Sequence, residues 1–536
     1  MGDFSKVNFA RIALLKKKGN KSVTKQFPSE GTLKTVAKWM PDFFAMLWPY
    51  LKPHTTEICS EDWVGSNCKE GEKIKSILEK DNYGGVPDSI ISYLSLPDKC
   101  PAKLRPCEVN GFVRRAFVVA QCIDNVMSDV HPRTFPASPP ISVLLPEGLQ
   151  KLLAHYRKEG SYGKNKRWGL VFPKPPIFKI PIRNENKSGD NLKDKFESLC
   201  CHKNRYEVDD EAFEVQYKML PERRGFGSQI FEDLSSSDLR IAVVPLAEDA
   251  DDVILNPIYP RGEPRIKAEI KDDIVKKLCQ RAKEVIYLLE ENEVNIAVFP
   301  EIVVTPKVSR AISEAMKNLT ENDPKDHLSL KLVVAGSGLT KRKNQVLPYN
   351  ECVVYGEGGV ELWRQCKCNH YSISVKRMNE YGMRPKKAGI AHKEDFHSAK
   401  ELVVAGGVLG RMMVLICEDL FQPIPKNNAI THFQPEWVFS PVLSGNTERE
   451  GREHRCAKPL SECSNITTIV ANSLVLPLKA IALKGKGSRN FGVGIAVVGG
   501  ESHKYFNFSV NNSSKTKTPL FSHTAFQPKN WKSVIK

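Results

Sequence analysis

Val294-Asn295-Ile296-Ala297-Val298-Phe299-Pro300-Glu301 and Gly410-Arg411-Met412-Met413-Val414-Leu415-Ile416-Cys417-Glu418-Asp419 are the two stretches on which the fold turns. Each is a short apolar run that ends in a chemically useful side chain. Apolar runs of this length, bounded by turn residues, read as buried strands. A third run, Val360-Glu361-Leu362-Trp363, leads within a few residues to Lys367. A carboxylate, an ammonium and a thiol are therefore expected to gather at one edge of a packed sheet. That set suits nucleophilic attack on a carbonyl or nitrile carbon and cleavage of a carbon–nitrogen bond.

Outward from these runs, the pattern after Ser235 alternates strand and helix. Leu239–Val244 reads as a buried strand. Ile270, Ile274, Leu278, Ala282, Val285, Ile286 and Leu289 fall on one helical face, with Asp272 and Asp273 near its positive end. Thr305-Pro306 offers an N-cap and a proline at the first helical position. Leu330–Ala335, Cys352–Tyr355, Val360–Trp363, Trp437–Ser440, Ile466–Ala471 and Val493–Val498 complete the strands. Several follow one another across short turns such as Gly356-Glu357-Gly358-Gly359, which argues for mixed sheets with helices outside rather than a purely parallel sheet.

Before Ser235 the chain reads as mainly helical, with helices at Gly111–Met127 and Leu149–Tyr156 and no motif that names a chemistry. A stretch rich in Lys and Pro at about 160–190, including Pro173-Lys174-Pro175-Pro176, reads as a linker. The expected division is thus 1–235 as an N-terminal region of unknown function, 236–510 as a catalytic domain, and 511–536 as a basic tail.

The chain has 536 residues, 41% of them hydrophobic and 26% charged, so several globular domains are expected and global disorder is not. Its net charge of +17 is concentrated at the ends. Nine Lys or Arg face three acids in the first fifty residues, and ten face one acid from Lys479 to Lys536. Solvated basic tails are the plain reading; contact with nucleic acid or an acidic protein is the alternative. No apolar run reaches the ~20 residues of a membrane helix, and no signal peptide or myristoylation motif is read. A cytoplasmic location is expected, with the fourteen cysteines mostly reduced. Neither Cys366-Lys367-Cys368-Asn369-His370 nor Cys200-Cys201-His202 has the paired spacing of a zinc site, so no metal is expected.

Ionising a thiol of ordinary pKa at neutral pH costs roughly 2 kcal/mol. A cation ~4 Å away returns about 4 kcal/mol at an effective dielectric of 20. Lys367 is therefore expected either to hold Cys417 as the nucleophile or to stabilise a tetrahedral oxyanion. An ionised Glu301 opposes the thiolate by a similar amount. The opposition vanishes if Glu301 accepts the thiol proton during attack and later passes it to the departing amine. The backbone N–H of Glu418, next after the thiol, is placed to donate to the oxyanion.

Taken together, these residues resemble the carbon–nitrogen hydrolase superfamily of nitrilases, amidases and carbamoylases over about 238–500. Ala297–Glu301 is similar to that family's strand ending in Pro-Glu, Gly359–Lys367 to its hairpin strand ending in Lys, and Gly410–Asp419 to its nucleophile elbow. Asn350 resembles the Asn that opens the hairpin. The resemblance implies an α+β fold of the four-layer α-β-β-α sandwich type and a Glu301-Lys367-Cys417 triad. It also implies a covalent acyl-cysteine intermediate, no cofactor, and a homodimer or higher homo-oligomer. A second glutamate is implied between the Lys and Cys motifs; Glu380 and Glu394 compete for it, with Glu380 preferred. The expected substrate is a small amide, carbamoyl amine or nitrile. The competing reading is a basic binding or scaffold protein that carries this domain as an interaction body.

Overall fold

The strand expected to end at Phe299 is Ile296–Val298, and its three side chains are fully buried. It belongs to a computed structural model that describes residues 28–526, apart from gaps of which the longest are 59–68, 96–105, 130–146, 174–191, 221–238 and 511–521. Among the described residues, Ile296–Val298 lies parallel between Leu239–Val243 and Leu332–Thr340. Two antiparallel steps add Tyr349–Gly356 and Glu361–Cys366 on one side. Ser522–Phe526 adds an edge strand on the other, antiparallel to Leu239–Val243. This six-stranded sheet is the smaller of the two large mixed sheets among the described residues.

The larger sheet is built around Gly410–Val414, Trp437–Val442 and Thr467–Asn472, which run parallel to one another. Arg489–Val498 and Ser502–Val510 extend it antiparallel on one side. Glu401–Gly407, Glu211–Met219 and Arg205–Val208 extend it on the other. Ile241, Val298, Val334 and Val354 of the smaller sheet share one buried core with Val404, Val414, Phe439 and Ile469 of the larger. The opposite face of the smaller sheet buries Ala242, Ala297 and Val333 against Leu278, Val285, Val308 and Ile312. Those side chains come from the helices Asp272–Glu291 and Pro306–Asn322. The expected helix start is present, since the Val308 N–H donates to Thr305 Oγ1 at 3.4 Å. Burying apolar faces of this kind is worth about 25 cal/mol per Å², which is why apolar periodicity located these elements.

The division of the chain differs from the expected break near Ser235. One compact unit comprises residues 1–126 with 188–196, and a second comprises 127–187 with 197–536. The first is helical in its described part, with Met40–Leu51, Lys69–Lys80 and Pro106–Val126 as its longer helices. Phe44, Trp48, Phe117 and Phe196 form an aromatic cluster within it. The strands Leu170–Pro173, Leu199–His202, Arg205–Val208 and Glu211–Met219 belong to the second unit. The physical reason is readable in Glu211–Met219. Phe213 and Val215 are buried while Glu214 and Gln216 are exposed, the period-2 signature of a strand with one face in a core. The tail expected at 511–536 likewise includes a paired strand, Ser522–Phe526. The basic first 27 residues and the Pro- and Lys-rich 174–191 lie outside the described residues. Among the described residues no helix is long and apolar enough to cross a membrane.

The two sheets bring their carboxyl ends together. Phe299 N–H donates to Val334 O at 2.9 Å, and Ser337 N–H donates to Pro300 O at 3.0 Å. Gly336 makes that approach possible: it has φ +66°, and a Cβ there would collide with the Pro300 carbonyl oxygen. Glu301 N–H then crosses to the larger sheet, donating to Val442 O at 3.3 Å.

Candidate active site

Cys417 follows Gly410–Val414 by three residues and has φ 48° and ψ −102°. A non-glycine residue at positive φ costs on the order of 1–3 kcal/mol and persists only where its surroundings fix it. Here Cys417 N–H donates to Pro441 O at 2.9 Å and Leu420 N–H donates to Cys417 O at 3.0 Å. Cys417 lines a cavity of about 500 Å³ together with Glu301 and Glu394. Cys417 is 8% exposed, so the sulfur is reachable but largely desolvated.

Glu301 is 1% exposed and is held by three donors. Its Oε1 accepts from Asn350 Nδ2 at 2.9 Å and from Lys367 Nζ at 2.8 Å. Its Oε2 accepts from the Leu443 N–H at 3.0 Å. The same Leu443 N–H also favours the anionic form of Cys417. Lys367 follows Glu361–Cys366, and its N–H donates to Asn350 O at 2.8 Å. Asn350 therefore anchors both members of the Glu–Lys pair, one through its side chain and one through its carbonyl.

The second carboxylate on Lys367 is Glu394, which corrects the preference for Glu380. Lys367 Nζ donates to Glu394 at 2.7 and 3.0 Å. Glu394 Oε2 also accepts from the Tyr371 N–H at 2.7 Å. Glu380 lines the same cavity but pairs with Arg377 at 3.3 Å on a part-exposed helix turn. The reason lies in a small sheet among the described residues. His392–Glu394 pairs with Ser372–Ile373 and with Arg265–Glu269, which carries Glu394 over Lys367. The strand is three residues long, too short to register as a period in the sequence. A direct comparison follows from this geometry. Glu394→Gln is expected to lower kcat by on the order of 10²-fold, at least about tenfold more than Glu380→Gln does, measured with one substrate at saturation. Equal effects would return Glu380 to contention.

The charges explain the resting protonation. Burial drags the Lys367 ammonium down, but Glu301 and Glu394 together outweigh it and hold its pKa well above the ordinary lysine value. Burial pushes the Cys417 thiol well above its ordinary value; Glu301 and Glu394 add to that push, and Lys367 only partly offsets it. Burial also raises Glu394, against the pull of Lys367. One cation between two carboxylates leaves no net attraction for a thiolate, so the thiol rests protonated with a base beside it.

The Glu418 N–H opens the helix Glu418–Phe421, whose first N–H groups have no intrahelical acceptor. Asp419, fully buried, joins the Cys417 turn to the Lys367 strand end. It accepts from the Cys368 N–H at 3.1 Å, the Asn369 N–H at 2.7 Å and Asn369 Nδ2 at 3.0 Å. Burial lifts its carboxyl to about 7 in spite of those bonds. Asp419 was visible as a polar residue just after the thiol, but its partners were not. The cysteines flanking Lys367 face away from this chemistry. Cys366 Sγ donates to Glu351 at 3.5 Å, and burial pushes its thiol up to about 12. Cys368 Sγ donates to Glu401 O at 3.5 Å.

The chain is similar to several solved structures. Nit3 of Saccharomyces cerevisiae, a member of branch 10 of the nitrilase superfamily, is 13% identical over 56% of this chain and 93% of its own, with a TM-score of 0.32. An amidase from Nesterenkonia sp. is 12% identical over 56% and 95%, with a TM-score of 0.32. A glutamine-dependent NAD+ synthetase from Acinetobacter baumannii is 13% identical over 51% of this chain and 46% of its own, with a TM-score of 0.33. The chain thus spans about half the length of that synthetase. No family model matches the sequence, and no curated relative does. Likenesses of this size leave the functional reading to the site itself.

Proposed function

We propose that the second unit is a four-layer α-β-β-α hydrolase body that cleaves a non-peptide carbon–nitrogen bond through an acyl-cysteine intermediate. The observation that carries this reading is the Lys367 ammonium fixed between Glu301 and Glu394, with Cys417 lining the same cavity as both carboxylates. For an amide the steps are these. Cys417 Sγ attacks the carbonyl carbon while its proton passes to Glu301. The carbonyl π pair moves to oxygen, where the Glu418 N–H and the Lys367 ammonium offset the new charge. The carbon–nitrogen bond breaks, the nitrogen takes the proton from Glu301, and ammonia or an amine leaves. Glu301 then removes a proton from water as the water attacks the thioester. The carbon–sulfur bond breaks, the thiol recovers the proton, and the acid departs. Proton transfer keeps the buried charge constant at each stage, which a desolvated site favours. A carbamoyl amine follows the same course, and a nitrile begins with the same attack.

The test is a panel of amides, carbamoyl amines and nitriles followed by ammonia release, together with a slow amide quenched in acid. The acyl mass is expected on the Cys417 peptide alone among the fourteen cysteines. Turnover with the label on Cys366 or Cys368 would move the nucleophile and overturn the mechanism.

A further inference from the structure

Asp419 stands two residues past Cys417, and the steps above do not use it. Its N–H donates to Ile416 O at 3.1 Å, which fixes it on the Cys417 turn. Its carboxylate reaches back to a segment 51 positions earlier in the chain. Oδ1 accepts from the Cys368 N–H at 3.1 Å, the Asn369 N–H at 2.7 Å and Asn369 Nδ2 at 3.0 Å. Oδ2 accepts from the same Cys368 N–H, also at 3.1 Å. Both N–H groups belong to the residues that directly follow Lys367. The lysine's own backbone is held from other directions: its N–H donates to Asn350 O at 2.8 Å, and its carbonyl accepts from the Ala399 N–H at 3.0 Å. Asp419 thereby ties the turn that carries the thiol to the strand end that carries the ammonium.

The bonds suit a carboxylate rather than a carboxylic acid. Every partner is an N–H donor, so both oxygens have to accept. A proton on Oδ2 would face the Cys368 N–H, donor against donor, and the remaining carbonyl oxygen is a weaker acceptor than an anionic one. Burial works in the other direction. The side chain is fully buried, and its carboxyl titrates at about 7 because burial outweighs the N–H donors and the charge of Lys367. The ionisable groups around it are Lys367 and the Cys368 thiol on the strand end, and Cys417 and Glu418 on its own turn. Lys400 and Glu401 act in turn on Cys368. Burial pushes the Cys368 thiol well above its ordinary value, so it stays neutral and adds no charge. An acid whose bonds require the anion, in surroundings that resist the anion, releases its hold when a proton arrives.

We infer that Asp419 is a positioning residue, holding the Lys367 ammonium in register with the Cys417 thiol, and that it does so only while ionised. This rests on the hydrolase reading. Lys367 is useful only where its Nζ meets the forming oxyanion, and a displacement of about 1 Å in such a site costs up to about a hundredfold in rate.

The experiment follows kcat against pH with the amide of the panel that releases ammonia fastest. In the parent, kcat is expected to fall by about ten- to a hundredfold as the pH drops through about 7. Glu301 can produce an acid limb of its own, so two variants identify the source. Asp419→Asn keeps the shape but sets an NH2 group against the Cys368 N–H, as the protonated acid does. Its kcat is expected to lie about ten- to a hundredfold below the parent at pH ~8, with KM within about threefold and no step near neutrality. Asn369→Ala removes a donor that favours the carboxylate, so its step is expected at higher pH than the parent's. It also leaves Asp419 in place, should Asp419→Asn fold poorly. A step unchanged in the variants would overturn the inference. Alkylation of the Cys417 peptide by iodoacetamide reads the same register without a substrate. Loss of the Asp419 charge alone would make the thiol easier to ionise and speed the reaction. Loss of register withdraws Lys367, whose charge favours the thiolate, and slows it. Asp419→Asn is expected to react at least about threefold more slowly than the parent at pH ~8, and a faster reaction would overturn the inference. If no amide of the panel releases ammonia, the hydrolase reading fails, and the alkylation rates alone decide whether Asp419 sets the register.

Discussion

Cys417→Ala is expected to lose at least about 10⁴-fold in kcat, with ammonia release falling to the background of the assay. The loss is this large because no neighbouring group can replace the sulfur. The nearest other nucleophile in the cavity wall is a carboxylate already bonded to Lys367, and the two cysteines closest in sequence to that lysine are bonded elsewhere. The same change should cost the fold little. It removes one sulfur atom of a residue that is 8% exposed, and a deletion of that size costs on the order of 1 kcal/mol. The turn is held by backbone bonds to Pro441 and Leu420, which alanine keeps. It also removes a polar group whose ionisation the site resists. A thermal midpoint within a few degrees of the parent, with turnover abolished, is the expected pair of results. Turnover within about tenfold of the parent would remove Cys417 from the chemistry.

How much of this was legible in the sequence follows from the length of each element. Ile296–Val298 and Gly410–Val414 could be found because their side chains are all buried. A run buried on both faces is apolar at nearly every position; Arg411, buried and paired with Glu436, is the exception here. Glu301, Lys367 and Cys417 could then be placed at strand ends by counting. The register between the two sheets could not be counted. It depends on contacts such as Glu301 N–H to Val442 O and Leu443 N–H to Glu301 Oε2, between residues well over a hundred positions apart. Glu394 was missed as the preferred carboxylate for a related reason. Its strand is three residues long and is positioned by pairing with 265–269, a segment far away in sequence. Glu211–Met219 is a different case: its alternation was present, but it was read together with the helical region before it.

Glu301→Gln is expected to separate two properties of Cys417 that usually move together. Turnover should fall by on the order of 10³-fold or more, since the same oxygen takes the thiol proton, gives it to the leaving nitrogen and later activates water. The amide cannot match all the existing partners. If its nitrogen takes the Oε2 place it meets the Leu443 N–H, and if it takes the Oε1 place it meets Lys367 Nζ and Asn350 Nδ2. A mismatch of donors in a buried site costs about 1–3 kcal/mol, so some stability is lost too. The thiol, however, should become easier to ionise. Its pKa is raised first by burial and then by the Glu301 charge, and Lys367 opposes both. Removing a negative charge favours the anionic form of its neighbour, so the thiol pKa moves down and the thiolate fraction at any fixed pH below it moves up. Alkylation by iodoacetamide, which needs only a thiolate, should therefore be faster in the variant than in the parent at pH ~8, by about tenfold for each unit that the pKa falls. The parent should show alkylation still climbing at the top of the accessible pH range, because its thiol titrates well above the ordinary value. A variant slower than the parent in both turnover and alkylation would mean that Glu301 does not load the thiol with negative charge. The protonated resting thiol argued from burial and from the carboxylates of Glu301 and Glu394 would then be wrong.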